Sequence, residues 1–301
     1  MGRRERAQLF GVLGDPVEHS LSPRMQNAAF AAARLPHLYL RYRVAPGGLA
    51  HAFDEARRLG MGGLNLTVPL KEAALPLVDE LSPAAARIGA VNTVVFRGNR
   101  LRGDNTDARG FLRSLAGRVR LRGATAVVIG AGGAARAVGA ALIDGGIDRI
   151  VVANRTPGRA TALVRALAAM GVPRAETVHL AALADGSALA DVALVVNTTP
   201  MGLHGGGPRI RFAAARSRCL FVDLVYGARP TRFLAGAARA GRPTLDGSAM
   251  LLHQGALAFE AWTGRPAPLA AMADALIAAG LPLTRRSAAG TNDDHRPGVM
   301  P

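Results

Sequence analysis

Lysine is nearly absent from this sequence. Lys71 is the single lysine, so every other one of the 37 basic residues is an arginine. A guanidinium does not lose its proton in a protein, whereas a lysine ammonium has an ordinary pKa of roughly 10.4 that burial and neighbouring charges shift readily. Lys71 is therefore a candidate for proton chemistry, and an arginine bias that spared one lysine by chance is the alternative explanation.

Cysteine and long apolar runs are also scarce. The single cysteine, Cys219, excludes an internal disulfide, and its apolar surroundings predict a small buried side chain. No apolar run reaches the roughly 18 residues that a spanning helix needs. Residues 1–6 also lack the apolar segment of a secretory signal behind them. The sequence therefore predicts a soluble cytoplasmic protein that makes no contact with a membrane.

Aromatic residues make up only 4% of the chain, although its formal charge is +16. Nucleic-acid-binding proteins combine basic stripes with recognisable modules, and often with stacking aromatic side chains. Here the arginines are scattered through predicted helices, turns and both termini, and no such module is visible. We predict no nucleic-acid partner. The positive surface should instead raise the encounter rate with small anions such as carboxylates and phosphates.

The pattern of apolar residues predicts an α/β protein of two domains. At 301 residues, half of them hydrophobic, the chain is long enough for two cores. Predicted strands cover residues 8–14, 38–44 and 63–68, with helices over 23–34 and 49–59, a helix from Pro69, and a hairpin over 91–100. From residue 124 to about 245, buried strands alternate with helices, and helices over 247–263 and 266–281 follow. The polar tail 284–301 is predicted to be disordered.

A glycine-rich turn follows the predicted strand 126–129. It leads into an alanine-rich helix, which is the context that a dinucleotide-binding GxGxxG/A sequence requires. Glycine permits the tight turn and lets backbone N–H groups approach a pyrophosphate. The candidate cofactor-binding residues of this turn are Gly130, Ala131, Gly132, Gly133 and Ala134. A glycine-rich turn without a ligand is the alternative.

The end of the next predicted strand indicates which dinucleotide is bound. An NAD-preferring protein places a carboxylate there, on the ribose 2′-hydroxyl. This chain instead has Asn154, Arg155 and Thr156, followed by Arg159, with no carboxylate among them. A guanidinium can pair with a 2′-phosphate through charge-assisted hydrogen bonds. We therefore predict NADP(H) as the cofactor, with two ordinary surface cations as the alternative.

Polar residues mark several other predicted corners in the first half of the chain. Ser22 suits the N-cap of the helix that follows it, whereas capping leaves Ser20 unexplained, and a carboxylate ligand would fit beside both. Lys71 ends the strand segment 65–71 at a strand-to-helix corner, where α/β enzymes often place their chemistry. Asn92 and Asp107 close two more strand ends, although Asp107 could instead be the N-cap of the next helix.

Taken in order, these motifs resemble those of the shikimate dehydrogenase family. The matching segments are residues 19–23, 65–71, 91–93, 105–107, 130–136, 154–156, 197–202 and 246–251, and the resemblance covers about residues 8–281. It implies an α/β fold with an N-terminal substrate domain, residues 1–107, completed by helices over 247–281. A Rossmann-type, doubly wound NADP-binding domain, residues 108–246, would be inserted between them, with the active site in the cleft.

The resemblance also implies a reaction and a set of residues. The reaction is the reversible NADPH-dependent reduction of 3-dehydroshikimate to shikimate, in the pathway to chorismate and the aromatic amino acids. Lys71 and Asp107 match the catalytic pair, although the sequence does not decide whether Lys71 donates the proton or acts as an electrostatic and binding group. The matching substrate-binding positions are Ser20, Ser22, Asn65, Thr67, Asn92, Tyr226 and Gln254, and the positions along the nicotinamide are Thr199, Met201 and Gly247.

Several alternatives stay open at this point. Quinate/shikimate and aminoshikimate dehydrogenases share most of these motifs, and a monomer or a homodimer would each fit. A non-catalytic NADP-binding sensor would keep the glycine-rich turn but would not need both Lys71 and Asp107. Gln26 and Ala108 replace residues common in the family, His and Gly, and we expect only small packing changes there. The histidines lack metal-ligand spacing, so we predict no metal.

Overall fold

The computed structural model describes residues 6–204 and 206–283. The tail predicted to be disordered, 284–301, lies outside the described residues. The strands are β1 (Leu9–Gly14), β2 (Leu38–Arg43), β3 (Gly63–Leu66), β4 (Glu80–Leu81), β5 (Thr93–Arg97), β6 (Arg100–Asp104), β7 (Thr125–Ile129), β8 (Arg149–Ala153), β9 (Arg174–Val178), β10 (Leu194–Asn197), β11 (Leu220–Asp223) and β12 (Thr244–Leu245). The helices are α1 (Ser22–Ala32), α2 (Leu49–Arg58), α3 (Pro83–Ile88), α4 (Asp107–Ser114), α5 (Gly133–Asp144), α6 (Pro157–Ala169), α7 (Ala181–Ala184), α8 (Arg232–Arg239), α9 (Ser248–Thr263) and α10 (Leu269–Ala278).

The first sheet is mixed, in the order β2-β1-β3-β5-β6-β4. Strands β1, β2 and β3 are parallel, whereas β5 pairs antiparallel with both β3 and β6, which confirms the predicted hairpin. Strand β1 is apolar on both faces because each face has its own core. Phe10 and Val12 pack with α1 and α10, while Leu13 packs with Leu49 and Phe53 of α2. Its apolar residues therefore do not alternate with polar ones.

The second sheet is parallel throughout, in the order β12-β11-β10-β7-β8-β9. The chain reverses its direction of travel across the sheet between β7 and β10, which is the doubly wound arrangement. Helices cover both faces, so Ala126 and Val128 enter one core and Val127 and Ile129 the other. The predicted α/β fold class is confirmed by this architecture.

The last two helices return to the first sheet. Helix α10 packs on α1, and Met272 and Leu276 share a core with Met25 and Phe30. Helix α9 crosses α4 so closely that a Cβ on Gly110 would lie 2.7 Å from the backbone nitrogen of Gln254. Only glycine fits at this crossing, and the contact brings the Gln254 side chain beside β5. No helix among residues 6–204 and 206–283 is both long and apolar enough to cross a membrane.

The helix predicted from Pro69 is wrong. This segment is a series of turns that ends in a short 3₁₀ helix, Leu75–Leu77. The Lys71 carbonyl accepts from the Val91 backbone N–H at 2.8 Å, so it is committed to a neighbouring segment instead of to Leu75. Pro76 also lacks the N–H that a continuing helix needs. Lys71 is therefore held at the sheet edge by the segment that leads into β5 and not by a helix.

Candidate active site

A cavity of about 260 Å³ lies where the carboxyl edges of the two sheets face one another. Twelve predicted site residues line it. From the first sheet and its helices they are Ser20, Ser22, Asn65, Thr67, Lys71, Asn92, Asp107 and Gln254, and from the second sheet and the segments that follow it they are Ala134, Thr199, Tyr226 and Gly247. The structure thus brings the predicted catalytic pair and all seven predicted substrate-binding positions to one wall or another of a single cavity.

Lys71 and Asp107 form a largely buried ion pair in the cavity wall. The Lys71 Nζ donates to Asp107 Oδ2 at 2.5 Å, and the two side chains are 14% and 6% exposed. Asp107 is the first residue of α4, so the N-cap alternative is wrong: Thr106 precedes the helix. A carboxylate in the first turn is stabilised by the positive end of the helix dipole. Asp107 is therefore placed where it can orient the Lys71 Nζ.

Asn92 holds the other oxygen of Asp107. Its Nδ2 donates to Asp107 Oδ1 at 2.8 Å and lies 3.5 Å from Gln254 Oε1, while its Oδ1 accepts from the Thr106 backbone N–H at 2.8 Å. The amide therefore has a fixed orientation, because its acceptor and donor sides have different partners. Asn92 is 2% exposed. One buried amide thus connects α4, β5 and the Gln254 side chain of α9.

Asn65 has little hydrogen-bonding capacity left for a ligand. Its Nδ2 donates to the Asn92 carbonyl and to Thr93 Oγ1, both at 3.1 Å, and its Oδ1 accepts from the Tyr39 hydroxyl at 2.7 Å. Both amide hydrogens are therefore engaged, and only the second lone pair of Oδ1 is open. If Asn65 contacts a substrate hydroxyl, it does so as an acceptor in this arrangement.

Tyr39 was not identified from the sequence, although it is fully buried and next to the site. Burial raises its pKa well above 10.0, the neighbouring Tyr226 raises it further, and the Ser22 hydroxyl lowers it. Tyr39 also contacts Trp262, with ring centroids 5.9 Å apart. Its place on an edge strand among exposed residues gave no functional signal. That only three tyrosines occur in the chain, one of them already a candidate, is the hint that the sequence contained.

The two predicted carboxylate-binding serines lie at the start of α1, Ser20 on the turn before it and Ser22 as its first residue. The helix begins at Ser22 itself and has no side-chain cap, so the predicted N-cap role of Ser22 is wrong. Instead, Ser20 Oγ accepts from the Ser22 backbone N–H at 3.3 Å. Burial raises the pKa of Tyr226, while the Leu21 backbone and the Ser20 hydroxyl lower it. Ser20 is therefore next to Tyr226, and Ser22 next to Tyr39, so each serine has a tyrosine hydroxyl beside it.

The glycine-rich turn fits a dinucleotide phosphate. Gly130 has φ +116°, and a Cβ there would lie 2.4 Å from Thr198 Oγ1, so the turn needs glycine. Helix α5 begins at Gly133 with no side-chain cap, which leaves its first N–H groups for a ligand. A Cβ on Gly132 would meet only Arg159 Nη2, at 4.0 Å, so the space over the turn is open and has a guanidinium beside it. Ala131 lies in the same turn.

The remaining predicted cofactor positions lie outside the cavity. Asn154, Arg155 and Thr156 follow β8, and the Asn154 Nδ2 donates to the Thr156 carbonyl at 2.9 Å. Arg155 and Arg159 are exposed, as a pair that binds a phosphate group would be. Met201 is 38% exposed and does not line the cavity.

The two halves of the site come close together at Lys71. A Cβ on Gly133 would lie 3.2 Å from the Lys71 Cβ, so the first turn of α5 approaches the lysine directly. The cavity is also lined by residues that the sequence did not single out as site residues, among them Thr198, Leu224 and Met250. No set of His, Cys, Asp or Glu side chains in the described part of the chain is arranged to hold a metal ion.

Three family models match the chain along most of its length. They are the shikimate dehydrogenase substrate-binding domain over residues 12–94, shikimate/quinate 5-dehydrogenase over 113–225, and the shikimate 5′-dehydrogenase C-terminal domain over 247–277. A curated relative from Moorella thermoacetica, shikimate dehydrogenase (NADP(+)), is 48% identical over 271 residues, which cover 88% of this chain and 90% of the relative.

Solved structures agree with this match. Shikimate 5-dehydrogenase from Thermus thermophilus, in complex with NADP(H) and shikimate, is 42% identical with a TM-score of 0.78, covering 90% of this chain and 99% of that one. Quinate dehydrogenase from Corynebacterium glutamicum, in complex with NAD, is 32% identical with a TM-score of 0.81, covering 91% and 100%. On these similarities, and on the fold and site that the structure builds, the chain belongs to the shikimate dehydrogenase family.

Proposed function

We propose that this protein is an NADP-dependent shikimate dehydrogenase, which interconverts 3-dehydroshikimate and shikimate reversibly in the biosynthesis of aromatic amino acids. The observation that most supports this activity is the largely buried Lys71–Asp107 pair, which lines the cavity where the first turn of α5 comes close to Lys71. A protein that only sensed NADP would have no need of an ammonium and a carboxylate aligned at that point. The substrate and cofactor named for the relatives support the same assignment.

In the direction of reduction, the ring ketone must gain a hydride at carbon and a proton at oxygen. NADPH, when bound, supplies the hydride. The Lys71 ammonium has donors left beyond the one it gives to Asp107, so it can donate to the ketone oxygen as negative charge develops there and pass it a proton. Asp107 keeps the ammonium in place, and Asn92 keeps Asp107 in place. The reverse reaction returns the proton to Lys71.

The other polar groups of the cavity would bind and orient the substrate. We assign Ser20, Ser22 and Tyr226 to the carboxylate, because their hydroxyls line the cavity close together at the start of α1. Asn65, Thr67, Asn92, Asp107 and Gln254 are assigned to the ring hydroxyls, with Asn65 restricted to accepting. Holding a ring at both its carboxylate and its hydroxyls fixes the reacting carbon relative to Lys71.

The chain's own residues suit NADP rather than NAD. The turn Gly130–Ala134 would hold the pyrophosphate, and Asn154, Arg155, Thr156 and Arg159 would hold the 2′-phosphate. Thr199, Met201 and Gly247 are assigned to the nicotinamide end. The proposal includes the division into residues 1–107 with 247–281 and residues 108–246, a cytoplasmic location, a monomer or homodimer, and no nucleic-acid partner.

The test is a comparison of four reactions. Purified protein is given shikimate or quinate, each with NADP⁺ or NAD⁺, and the initial rates are followed at the absorbance of the reduced nicotinamide. We expect a large preference for shikimate with NADP⁺. Comparable rates on quinate or with NAD⁺ would contradict the narrow assignment and favour a quinate/shikimate dehydrogenase. Turnover of neither substrate would contradict the proposal, making aminoshikimate, or a sensor that binds NADP⁺, the next candidate.

A further inference from the structure

Asp223 is a buried carboxylate that the proposed mechanism does not use. It is the last residue of β11, it is fully buried, and no ion-pair partner contacts it among the residues that the structure describes. Burial raises the pKa of Asp223, while hydrogen bonds from Thr231, Val225 and Asn197 lower it. Burying a carboxyl group away from any cation costs free energy, and the hydrogen bonds that it accepts offset this cost.

Three donors from three segments converge on this carboxylate. Oδ1 accepts from Asn197 Nδ2 at 3.0 Å and from the Val225 backbone N–H at 3.1 Å. Oδ2 accepts from Thr231 Oγ1 at 2.6 Å. Asn197 ends β10, Val225 follows β11, and Thr231 precedes α8. The carboxylate therefore connects the ends of two neighbouring strands and the start of a helix.

The bond to Asn197 leads to the cofactor side of the cavity. Because Asn197 gives its Nδ2 to Asp223, its Oδ1 must face the other way, toward Thr199. There it accepts from the Thr199 backbone N–H at 3.2 Å and from Thr199 Oγ1 at 2.7 Å. Thr199 lines the cavity and is one of the positions assigned to the nicotinamide. Asp223 thus fixes the orientation of Thr199 through one intervening amide.

The bond to Val225 leads to the substrate side. Leu224, Val225 and Tyr226 all line the cavity, and Tyr226 lies beside Ser20 at the proposed carboxylate position. The Val225 N–H that donates to Asp223 comes directly before Tyr226 in the chain. The path of the chain into Tyr226 is therefore set by the same oxygen atom that orients Asn197.

We propose that Asp223 is a positioning residue that holds the nicotinamide wall and the substrate-carboxylate wall in register through its Oδ1. The inference rests on the proposed function for the roles of Thr199 and Tyr226. Asp223 Oδ1 accepts from two donors, one leading to each wall, so removing this oxygen should release both walls together. Charge is not the requirement, because the oxygen of an amide could accept the same two bonds while its Nδ2 donates to Thr231 Oγ1.

The test uses Asp223→Ala, with Asp223→Asn as the conservative rescue. Dissociation constants for NADP⁺ and for shikimate are measured separately by calorimetry, with kcat and KM alongside. For Asp223→Ala we expect both constants to rise by roughly tenfold, because each wall loses the hydrogen bond that positions it. Asp223→Asn should restore both constants to within about threefold of the original protein.

Thr231→Val is the matched control. Thr231 gives Asp223 its third bond and caps α8 by accepting from the Leu234 N–H at 3.3 Å, but neither hydrogen bond leads to a cavity wall, and valine keeps the methyl group that faces Gly202. Thr231→Val should lower the melting temperature and leave both dissociation constants unchanged. If Asp223→Ala behaves in the same way, or if Asp223→Asn fails to rescue a correctly folded protein, Asp223 has only a structural role and the inference is wrong.

A further variant keeps the test decisive if Asp223→Ala does not fold. Asn197→Ala breaks only the path to Thr199, so it should weaken NADP⁺ binding and leave the shikimate dissociation constant unchanged. Unchanged NADP⁺ binding would overturn the cofactor half of the inference. Failure of the proposed function is distinguishable, because it would appear as no turnover of shikimate by the original protein, whereas the NADP⁺ measurement on Asn197→Ala stands independently of turnover.

Discussion

The two sheets build their halves of the site by different means. At the edge of the first sheet, side chains bond to one another: Asn65, Asn92, Thr93, Thr106 and Asp107 are all buried and mutually connected. At the glycine-rich turn of the second sheet, β7 is apolar, and backbone N–H groups at the start of α5 are left open with exposed arginines nearby. The wall around Lys71 is thus a side-chain network and the glycine-rich turn a backbone surface, while the Asn197–Asp223 bonds form a smaller side-chain network elsewhere in the second half.

This difference predicts how each half responds to mutation. A buried network transmits the loss of one polar group to its neighbours, because a donor or acceptor that loses its partner there cannot replace it with water. A backbone surface loses affinity only where a side chain blocks the approach or where a charged partner is removed. Single polar substitutions should therefore be severe and interdependent in the network around Lys71, and milder and independent at the glycine-rich turn and its arginines.

Lys71→Ala should have the largest effect. It removes the only lysine ammonium of the chain from the first-half network, and groups of this kind typically contribute roughly 10²- to 10⁴-fold to the rate. We expect kcat for shikimate oxidation to fall by about that factor, while the NADP⁺ dissociation constant stays near its original value. Steady-state kinetics with parallel NADP⁺ titrations measure both. A variant with nearly normal kcat would remove Lys71 from the chemistry.

Lys71→Arg distinguishes the two possible roles of Lys71, proton donor or electrostatic and binding group. It keeps a cation beside Asp107 but cannot give up its proton at accessible pH. A loss of kcat equal to that of Lys71→Ala would identify Lys71 as the proton donor. Substantial recovery would assign it an electrostatic and binding role.

Arg155→Leu should have the next largest effect, and this effect should be confined to cofactor binding in the second half. A charge-assisted hydrogen bond to a phosphate is worth about 1.5–3 kcal/mol, so we expect KM for NADP⁺ to rise roughly ten- to hundredfold with little change for NAD⁺. Arg165→Leu is the matched control, because it removes another exposed arginine, from α6. Equal effects of the two substitutions would mean that general charge, and not Arg155, attracts the cofactor.

The sequence predicted the second half of the molecule better than the first. The buried runs of β7 and β8 and the glycines after β7 are local signals, and both appear where expected. The errors in the first half came from distant partners. Pro69 was expected to start a helix, but Val91 takes the Lys71 carbonyl, and Tyr39 could not be linked to Asn65 because 26 residues separate them. The partners in a side-chain network come together only when the chain folds, so no local sequence pattern indicates the network.

Tyr39→Phe tests whether the network extends beyond the cavity wall. It keeps the ring against Trp262 but leaves Asn65 Oδ1 without its donor. An unsatisfied buried acceptor costs about 1–3 kcal/mol, so the free energy of unfolding in urea should fall by that amount. Tyr42→Phe, on the same strand, is the control: Tyr42 is only partly buried, so water can replace a lost bond, and we expect little change. Equal losses of unfolding free energy in both variants would mean that the network ends at Asn65 and does not include Tyr39.

The smallest effect should be the reaction of Cys219, in the second half of the molecule, with an alkylating reagent. This thiol begins the run into β11, is 1% exposed, and has a pKa that burial raises to about 12. The thiolate is the reactive form, so iodoacetamide at roughly pH 8 should modify the folded protein no faster than the second sheet opens.

Because Cys219 is the only cysteine and Trp262 the only tryptophan, alkylation reports on the second sheet and fluorescence on the first. In a urea titration of Tyr39→Phe, fluorescence that changes before Cys219 becomes reactive would show that the first sheet loses stability separately. Coincident transitions would mean that the two sheets, despite their different construction, unfold as one unit.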